Sequence, residues 1–441
     1  MRPDLRGCRR GLVAVLLATT SLLAVTPASG QKLSLKRAVE LALVHSPVMK
    51  QGTSDAQRAD FSFREERAHY IPQVTVGSGL GDSWGFPLSL EGSAPSLVNV
   101  TAQSALYNPA LQDAIRAARS EYQAVLYANQ DRRSQVIQDT VLAYLELNKW
   151  EGMIDNLRQE HVDAQKMEEV AQQRISAGID SAHMGLQARL ATARSNLRVL
   201  QAEGAMQSLQ TTLSQLTGLA VTAIQTDGAS IPSFPDVPPG PDASAKAADS
   251  NPAVMFAQEH AHSLQFQARA EHRSLWPSID FATQYAVLAK YNNWEQFFLT
   301  NSFQRNNASV GVVIRFPFFN YSQRNHARAV DADAAHASAE VQATKNQVSQ
   351  QVLKVQSSVR QLSAAKEVSE LEYELAQSNL NDVQIRLNSG GATVHDEANA
   401  RADTSEKYSQ LQDSDFELEK ARVALLRATG DLDSWAGTKK Q

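Results

Sequence analysis

The sequence predicts a mixed α+β membrane protein, in which long coiled-coil-like helices form an α-helical barrel and four β-strands per subunit contribute to a transmembrane β-barrel. Three observations carry this prediction. The chain repeats itself in tandem, each copy holds one long stretch almost free of glycine and proline, and each copy holds two short segments in which apolar and polar residues alternate.

Residues 1–30 are predicted to be a secretory signal, because a basic start precedes an apolar run and small residues lead to an expected cleavage before Gln31. A membrane-anchoring helix is the alternative, but the apolar run is short and ends at Pro27. The single cysteine, Cys8, lies in this segment. The mature chain is therefore expected to have no disulfide and no thiol chemistry.

The composition excludes several classes of function. The formal net charge of −5 argues against nucleic acid as a partner and against a polybasic membrane-surface mode. After residue 30 there is no apolar run of about 18 residues, so no helix is expected to span a bilayer, and a chain of this kind would cross a membrane as a closed β-barrel. Phosphate-loop, zinc-protease and serine-hydrolase motifs are absent, so we predict no enzyme and no cofactor.

The internal repeat organises the chain. Pro47 recurs as Pro252, 205 residues later, and Gly178 recurs as Gly390, 212 residues later. The repeats predict a tandem duplication, since chance would not keep prolines and glycines in register. Further matching pairs are Phe61 and Phe266, Arg64 and Arg269, Glu66 and Glu271, Asn108 and Asn320, and His183 and His395.

We therefore predict a first structural repeat over residues 31–218 and a second over 246–436. Between them, residues 219–245 hold five prolines and are expected to leave the helical layer as an equatorial linker. Residues 437–441 form a C-terminal tail. The change of offset from 205 to 212 places seven extra residues in the second copy, and the run 290–294 there is predicted to be an outward-facing loop.

Four β-strands are predicted near residues 72–82, 96–108, 277–288 and 308–320. Each has about the ten residues that a tilted transmembrane strand needs. Alternation alone would also fit the edge of a soluble sandwich, but aromatic residues at the strand–helix junctions favour a membrane interface. These are Tyr70, Tyr107, Trp276, Phe319 and Tyr321.

The rest of the mature chain is predicted to be helical. One long helix per copy runs from the shared Asn to just before the shared Gly, a length of ~100 Å at 1.5 Å per residue. Residues 35–71 and 181–217 are predicted to be half-length helices that together match one long helix. The apolar residues form narrow stripes at spacings of three and four, which suits helices packed side by side with water on at least one face.

Several motifs resemble the TolC-like outer-membrane efflux family. They are the start Leu33 to Ala42 with Ser46-Pro47, the strand exits Leu106 to Pro109 and Phe316 to Asn320, and the turn glycines. The resemblance covers the whole mature chain. It implies an outer-membrane channel subunit of a tripartite efflux pump or type I secretion system, with its helices in the periplasm. Implied partners are a periplasmic adaptor, an inner-membrane transporter that supplies the energy, and outer-membrane lipid.

The residues also support a homotrimer independently. Four strands cannot close a barrel, because the smallest single-chain transmembrane barrels have about eight, whereas three copies of four strands make 12. A soluble periplasmic adaptor or scaffold is the alternative class. An adaptor should have one helical hairpin embedded in β-domains, whereas this chain has two that are related by the repeat. The exported substrate, whether drug, metal or protein, is not predicted.

Candidate site residues lie where the helices turn. Gly178, Gly390 and Gly391 are expected at an adaptor-docking tip. The resemblance implies a pore constriction at Asp396 and Asn399, where the first family acid is present and the second is replaced by an amide. The alternative for Asp396 is an acid that interacts with the helix dipole. The repeat-related His183 and His395 lie near the same tip, where a solvated position is favoured over a metal site.

Overall fold

In a computed structural model of the chain, the structure describes residues 32–79, 96–179, 181–235, 249–288 and 305–438. The predicted signal (1–30) and the predicted loop 290–294 lie outside the described residues. So do residues 236–245 of the predicted linker. Within the described ranges, no helix is long and apolar enough to span a membrane.

The described elements follow the repeat. The first copy contains α1 (Leu35–His45), α2 (Pro47–Ala68), β1 (Gln73–Gly79), β2 (Ser96–Tyr107), α3 (Pro109–Ser176) and α4 (Ala182–Thr217). The second contains α5 (Pro252–Arg273), β3 (Ser278–Leu288), β4 (Asn306–Arg315), α6 (Tyr321–Asn388), α7 (Val394–Thr429) and the short α8 (Leu432–Trp435).

The equivalent helices have identical lengths. They span 22 residues in α2 and α5, 68 in α3 and α6, and 36 in α4 and α7. Both long helices start at a repeated asparagine whose side chain accepts a backbone N–H, Asn108 from Leu111 and Asn320 from Gln323. This is the N-cap arrangement that asparagine favours. Two helices of ~100 Å follow from these lengths.

Two predicted elements have different bounds in the structure. The helix predicted over 35–71 is divided at Ser46, which has extended backbone (ψ 128°), and it ends at Ala68. A proline disfavours helical backbone in the residue before it and is well suited to the first position of a new helix, as Pro47 is here. The strand predicted over 308–320 spans 306–315 instead, since Pro317 has no N–H to donate and the chain turns there before α6.

The four strands form one antiparallel sheet in the order β1-β2-β3-β4. The central pair, β2 and β3, joins the two copies, and Val100 of β2 lies opposite both Val76 of β1 and Tyr285 of β3. Strands β1 and β4 are the edges of the sheet.

The helices form a row with α3 and α6 running its full length. Next to the sheet the order of contacts is α2–α3–α5–α6, and towards the far end it is α4–α3–α7–α6. The first copy therefore supplies one edge of the row, through α2 and α4. The second copy supplies the other edge, through α6.

The largest apolar cluster lies midway along this row, where α1 and the linker pack on α3. Tyr144 of α3 is fully buried and its hydroxyl donates to the Leu33 carbonyl at 2.5 Å and accepts from the Asp227 N–H at 2.8 Å. Burial raises the pKa of Tyr144. Phe234 of the linker stacks on Trp435 of α8 at 4.7 Å between ring centroids. The described part of the linker thus lies against the middle of the helical row.

Candidate functional site

One face of the sheet is apolar. Side chains alternate between faces along a strand, and the register aligns the apolar positions of neighbouring strands. Val310, for example, leaves 73% of its surface exposed, although valine is usually buried. Such a wide exposed apolar surface indicates that something apolar covers it. Its members are Val74, Val76, Val98, Val100, Phe281, Tyr285, Val310, Val312 and Ile314.

The opposite face is polar. Gln284 of β3 donates an amide hydrogen to Asn99 of β2 at 3.1 Å, and the buried carboxylate of Asp280 pairs with Arg315 of β4 at 2.5 Å. Further polar positions on this face include Gln73, Thr75, Thr101, Gln103, Asn307 and Ser309, and Val313 is an exposed apolar position among them. One face of the sheet therefore suits apolar surroundings and the other suits water.

A cavity of about 500 Å³ lies where the polar face meets the helices. Gln103 and Asp280 of the sheet line it, together with the carboxylates Glu66 of α2 and Glu271 of α5. These two acids are repeat equivalents, so both copies present a carboxylate at the same level. The sequence identified the pair as a repeat match but not as part of a site. Each of these glutamates lies the same number of residues before a strand, and this shared spacing was the signal that the sequence offered.

The two edges of the helical row carry uncovered apolar stripes. On α4, Leu186, Leu190, Leu197 and Leu200 recur at coiled-coil spacing, and Leu186 is 64% exposed. On α6 the stripe consists of Val368, Leu371, Leu375 and Ile385, and Leu375 is 71% exposed. Stripes at this spacing are typical of helices that pack against a partner helix.

The turns predicted at Gly178 and Gly390 have the left-handed backbone that was expected, with φ of 73° and 80°. Each forms a Schellman motif. In the second, Gly390 N–H donates to the Leu387 carbonyl at 3.1 Å and Gly391 N–H donates to the Arg386 carbonyl at 2.7 Å. Only the first of these two glycines needs positive φ, and its role in docking stays a prediction.

Asp396 lies in the first turn of α7. Its carboxylate accepts the Thr393 N–H at 2.8 Å, and its own N–H donates to the Thr393 hydroxyl at 3.2 Å, a reciprocal capping box. The hydrogen bond from the Thr393 backbone is the main cause that lowers the pKa of Asp396. In the single chain this acid therefore caps the start of α7, and its roles at a pore constriction and towards the helix dipole both stay predictions. A role in a pore depends on other subunits.

The other tip residues lie beside it. Asn399 donates its amide to the His395 ring at 3.2 Å. His183 lies in the equivalent first turn of α4. Over the described residues, no group of three potential metal ligands comes together, at the tip or elsewhere.

A cluster that the sequence did not reveal ties the two helical hairpins, α3/α4 and α6/α7, to each other. Glu160 of α3 pairs with Arg198 of α4 and accepts the Ser405 hydroxyl of α7 at 2.7 Å. Nearby, Arg401 of α7 lies 3.9 Å from Asp163 of α3. These contacts join residues far apart in the chain, so no local pattern marks them.

The chain thus combines a row of ~100 Å helices with a sheet that has one apolar and one polar face. Residues 38–219 match the family described as outer membrane efflux protein. The resemblance seen in the sequence motifs is thereby confirmed, and it supports a location in the outer membrane with the helices in the periplasm.

Individual proteins are also similar to this chain. The chain is 24% identical to Protein CyaE of Bordetella pertussis over 309 residues, which cover 67% of this chain and 62% of that protein. The chain thus matches less than two thirds of the length of that relative. The fold is similar to the outer membrane protein VceC from Vibrio cholerae (TM-score 0.70, 18% identity, 90% of this chain and 96% of that one). It is also similar to the Campylobacter jejuni CmeC outer membrane channel (TM-score 0.75, 14% identity, 90% and 85%).

Proposed function

We propose that three copies of this chain form an outer-membrane channel that exports substrates passively, as part of a tripartite efflux pump or a type I secretion system. The observation that carries the proposal is that, at each edge of the subunit, both the sheet and the helical row end without a neighbour on the same side. The first copy supplies β1, α2 and α4 at one edge, and the second supplies β4 and α6 at the other. Contacts of this head-to-tail kind form a ring when the rotation from one subunit to the next closes.

In the sheet, β1 of one subunit would pair with β4 of the next. Every residue of β4 is exposed in the single chain, and an unpaired edge strand readily accepts another strand. Three sheets of four strands give a 12-stranded barrel. Its apolar face would meet lipid and its polar face would line the lumen.

In the helices, the stripe on α4 would pack against the stripe on α6 of the next subunit. Contacts within the chain set their relative height: Ser195 of α4 adjoins His161 of α3, and Thr404 of α7 adjoins Ala376 of α6. Since Glu160 also adjoins Ser405, Ser195 lies within about one turn of the level of Ala376. Leu200 and Leu371, each five residues further from the tip than Ser195 and Ala376, then lie at the same level on the two stripes.

The remaining assignments rest on this architecture. The hairpin tips at Gly178, Gly390 and Gly391 would dock a periplasmic adaptor, and an inner-membrane transporter would supply energy, so the chain itself is no enzyme. Asp396 and Asn399 would surround the axis as a ring at the entrance. A soluble adaptor is not favoured, because such a protein has no use for a sheet with a large uncovered apolar face.

Cross-linking between subunits tests the proposal. The only cysteine, Cys8, lies in the predicted signal, so introduced cysteines are the only ones in the mature chain. Cells that express Leu200→Cys/Leu371→Cys are treated with a short bismaleimide, and the outer-membrane fraction is resolved by denaturing electrophoresis. We expect covalent dimers and trimers, and none with Leu200→Cys alone. Monomers only, or recovery in the soluble periplasm, would refute the channel.

A further inference from the structure

Helices α2 and α5 each carry a glutamate that lines the cavity between the sheet and the helices, and an arginine on the opposite side of the helix. Glu66 and Glu271 line that cavity together with the polar face of the sheet. Arg64 and Arg269 precede them by two residues, which is roughly 200° around a helix at 3.6 residues per turn. Both arginines therefore lie on the side of the helical row that continues the apolar face of the sheet.

These arginines are stacked on aromatic rings. The Arg269 guanidinium lies 5.3 Å from the centroid of the Phe266 ring, and Arg64 lies 5.7 Å from that of Phe61. Stacking holds a guanidinium against apolar surface while its N–H donors stay free in the plane. Trp276, which is 56% exposed, follows between α5 and the sheet.

The two copies differ in charge at this point. Arg64 is paired with Asp60 at 2.7 Å. The equivalent of Asp60 in the second copy is Gln265, which donates its amide to Ser338 of α6 at 3.2 Å. Across the described part of the chain, no carboxylate lies within ion-pair distance of Arg269. The second copy thus keeps a cation that the first copy neutralises.

A second exposed arginine, Arg324, lies on α6, which packs beside α5 and forms a groove with it. His272, three residues after Arg269, meets Asp331 of α6 at 2.7 Å. Arg324 precedes Asp331 by seven residues, about two helical turns, and so shares its face. It is exposed, and the described residues offer it no ion-pair partner. Both arginines lie within ~6 Å of a helix end that adjoins the sheet, and a headgroup layer is roughly 5–8 Å deep.

We propose that this groove binds the phosphate of an anionic phospholipid from the adjoining leaflet, through Arg269 and Arg324. Guanidinium groups bind phosphate through two parallel hydrogen bonds. Phe266 and Trp276 would contact the glycerol and the first carbons of the acyl chains. The inference rests on the proposed function, because it requires the apolar face of the sheet to lie in a membrane. Each arginine should change the preference for an anionic lipid by roughly five-fold.

Native mass spectrometry of the full-length protein in neutral detergent tests the proposal. Dioleoyl phosphatidylglycerol and dioleoyl phosphatidylcholine, which share acyl chains, are added in equal amounts, and the lipid bound per trimer is counted. Wild type should prefer phosphatidylglycerol, and Arg269→Gln/Arg324→Gln should lose that preference. The matched control is Arg64→Gln, which removes an arginine already paired with Asp60 and should change little.

The proposal would be overturned if the double variant preferred phosphatidylglycerol as strongly as wild type does. It would also be overturned if Arg64→Gln lost this preference to the same extent as the double variant. Displacement of the bound lipid by inorganic phosphate alone at equal concentration would identify a simple anion site and would also overturn it. If the double variant does not assemble, the salt dependence of lipid binding by the wild-type protein tests the proposal instead. A preference for phosphatidylglycerol that does not weaken as the salt concentration rises is not electrostatic and would overturn the proposal. A protein that forms no trimer refutes the channel itself, whereas a trimer with no headgroup preference refutes only the lipid site.

Discussion

Glu160 of α3 accepts a hydrogen bond from the Ser405 hydroxyl of α7 at 2.7 Å, although 245 residues separate them in the chain. The same carboxylate pairs with Arg198 of α4, and its side chain is only 15% exposed. One acid therefore joins three helices from both copies. Its place near the tip end of the hairpins suggests that it holds them together where the channel entrance would open.

We expect Glu160→Ala to loosen this junction. A hydrogen bond to a charged, largely buried group contributes about 1.5–3 kcal/mol, so its loss should let the hairpins separate more easily. Single-channel recording in planar bilayers should show a higher mean conductance. The control is Glu203→Ala, which breaks an exposed pair with Arg158 and should leave the conductance unchanged. An unaltered conductance in Glu160→Ala would mean that other contacts hold the tips.

Gly390→Val should damage the hairpin tip without preventing assembly. The backbone there has φ of 80°, which costs a β-branched residue about 1–2 kcal/mol or more. An added Cβ meets nothing within 4 Å, so the cost is conformational and local. Export should fall while the trimer survives electrophoresis without heating. Gly204→Ala, at an open position inside α4, is the control and should export normally. Normal export by Gly390→Val would argue against a docking role.

Local chemistry determines which features the sequence could predict. The N-cap asparagines Asn108 and Asn320 and the turn glycines were predictable because each acts on its own helix end. The break at Ser46 has the same local origin and could have been read from Pro47. The tie from Glu160 to Ser405 could not, because it depends on how the hairpins of two copies pack. The pairing of Asp280 with Arg315 likewise depends on strand register.

An arginine introduced into β4 should prevent assembly on one face of the sheet and be tolerated on the other. Val312→Arg places a cation on the apolar face, which in a membrane costs about 2–4 kcal/mol near the bilayer centre. We expect little heat-resistant trimer in the outer membrane. Ser309→Arg, on the polar face of the same strand, should assemble well because water can solvate the new charge. Equal assembly of the two variants would contradict the assignment of the faces.

Glu419 of α7 should make the protein less stable as the pH rises. Burial, with a smaller effect of Asp415, raises the pKa of Glu419 from 4.5 to about 7. The folded state therefore favours the protonated form, and stability falls between pH 4.5 and about 7, where only the unfolded chain would release this proton. Glu419→Gln should raise the melting temperature at pH 8 and have little effect at pH 4.5. Glu417→Gln, on the exposed side of the helix, should do neither.

In the proposed trimer, Asp396 should make the channel prefer cations, and the pH dependence of this preference should report how closely the three Asp396 carboxylates approach one another. Asp396→Asn should move the reversal potential under a salt gradient towards zero without abolishing conductance. Within one chain the hydrogen bond from Thr393 lowers the pKa below its usual 3.8, so selectivity should persist until the pH falls below that value. Three carboxylates in close contact would repel one another and raise the pKa, so that selectivity fades at a higher pH. Measurement of reversal potentials from pH 7 down to about pH 3 separates these arrangements. Identical reversal potentials in wild type and Asp396→Asn at neutral pH would show that this carboxylate only caps α7.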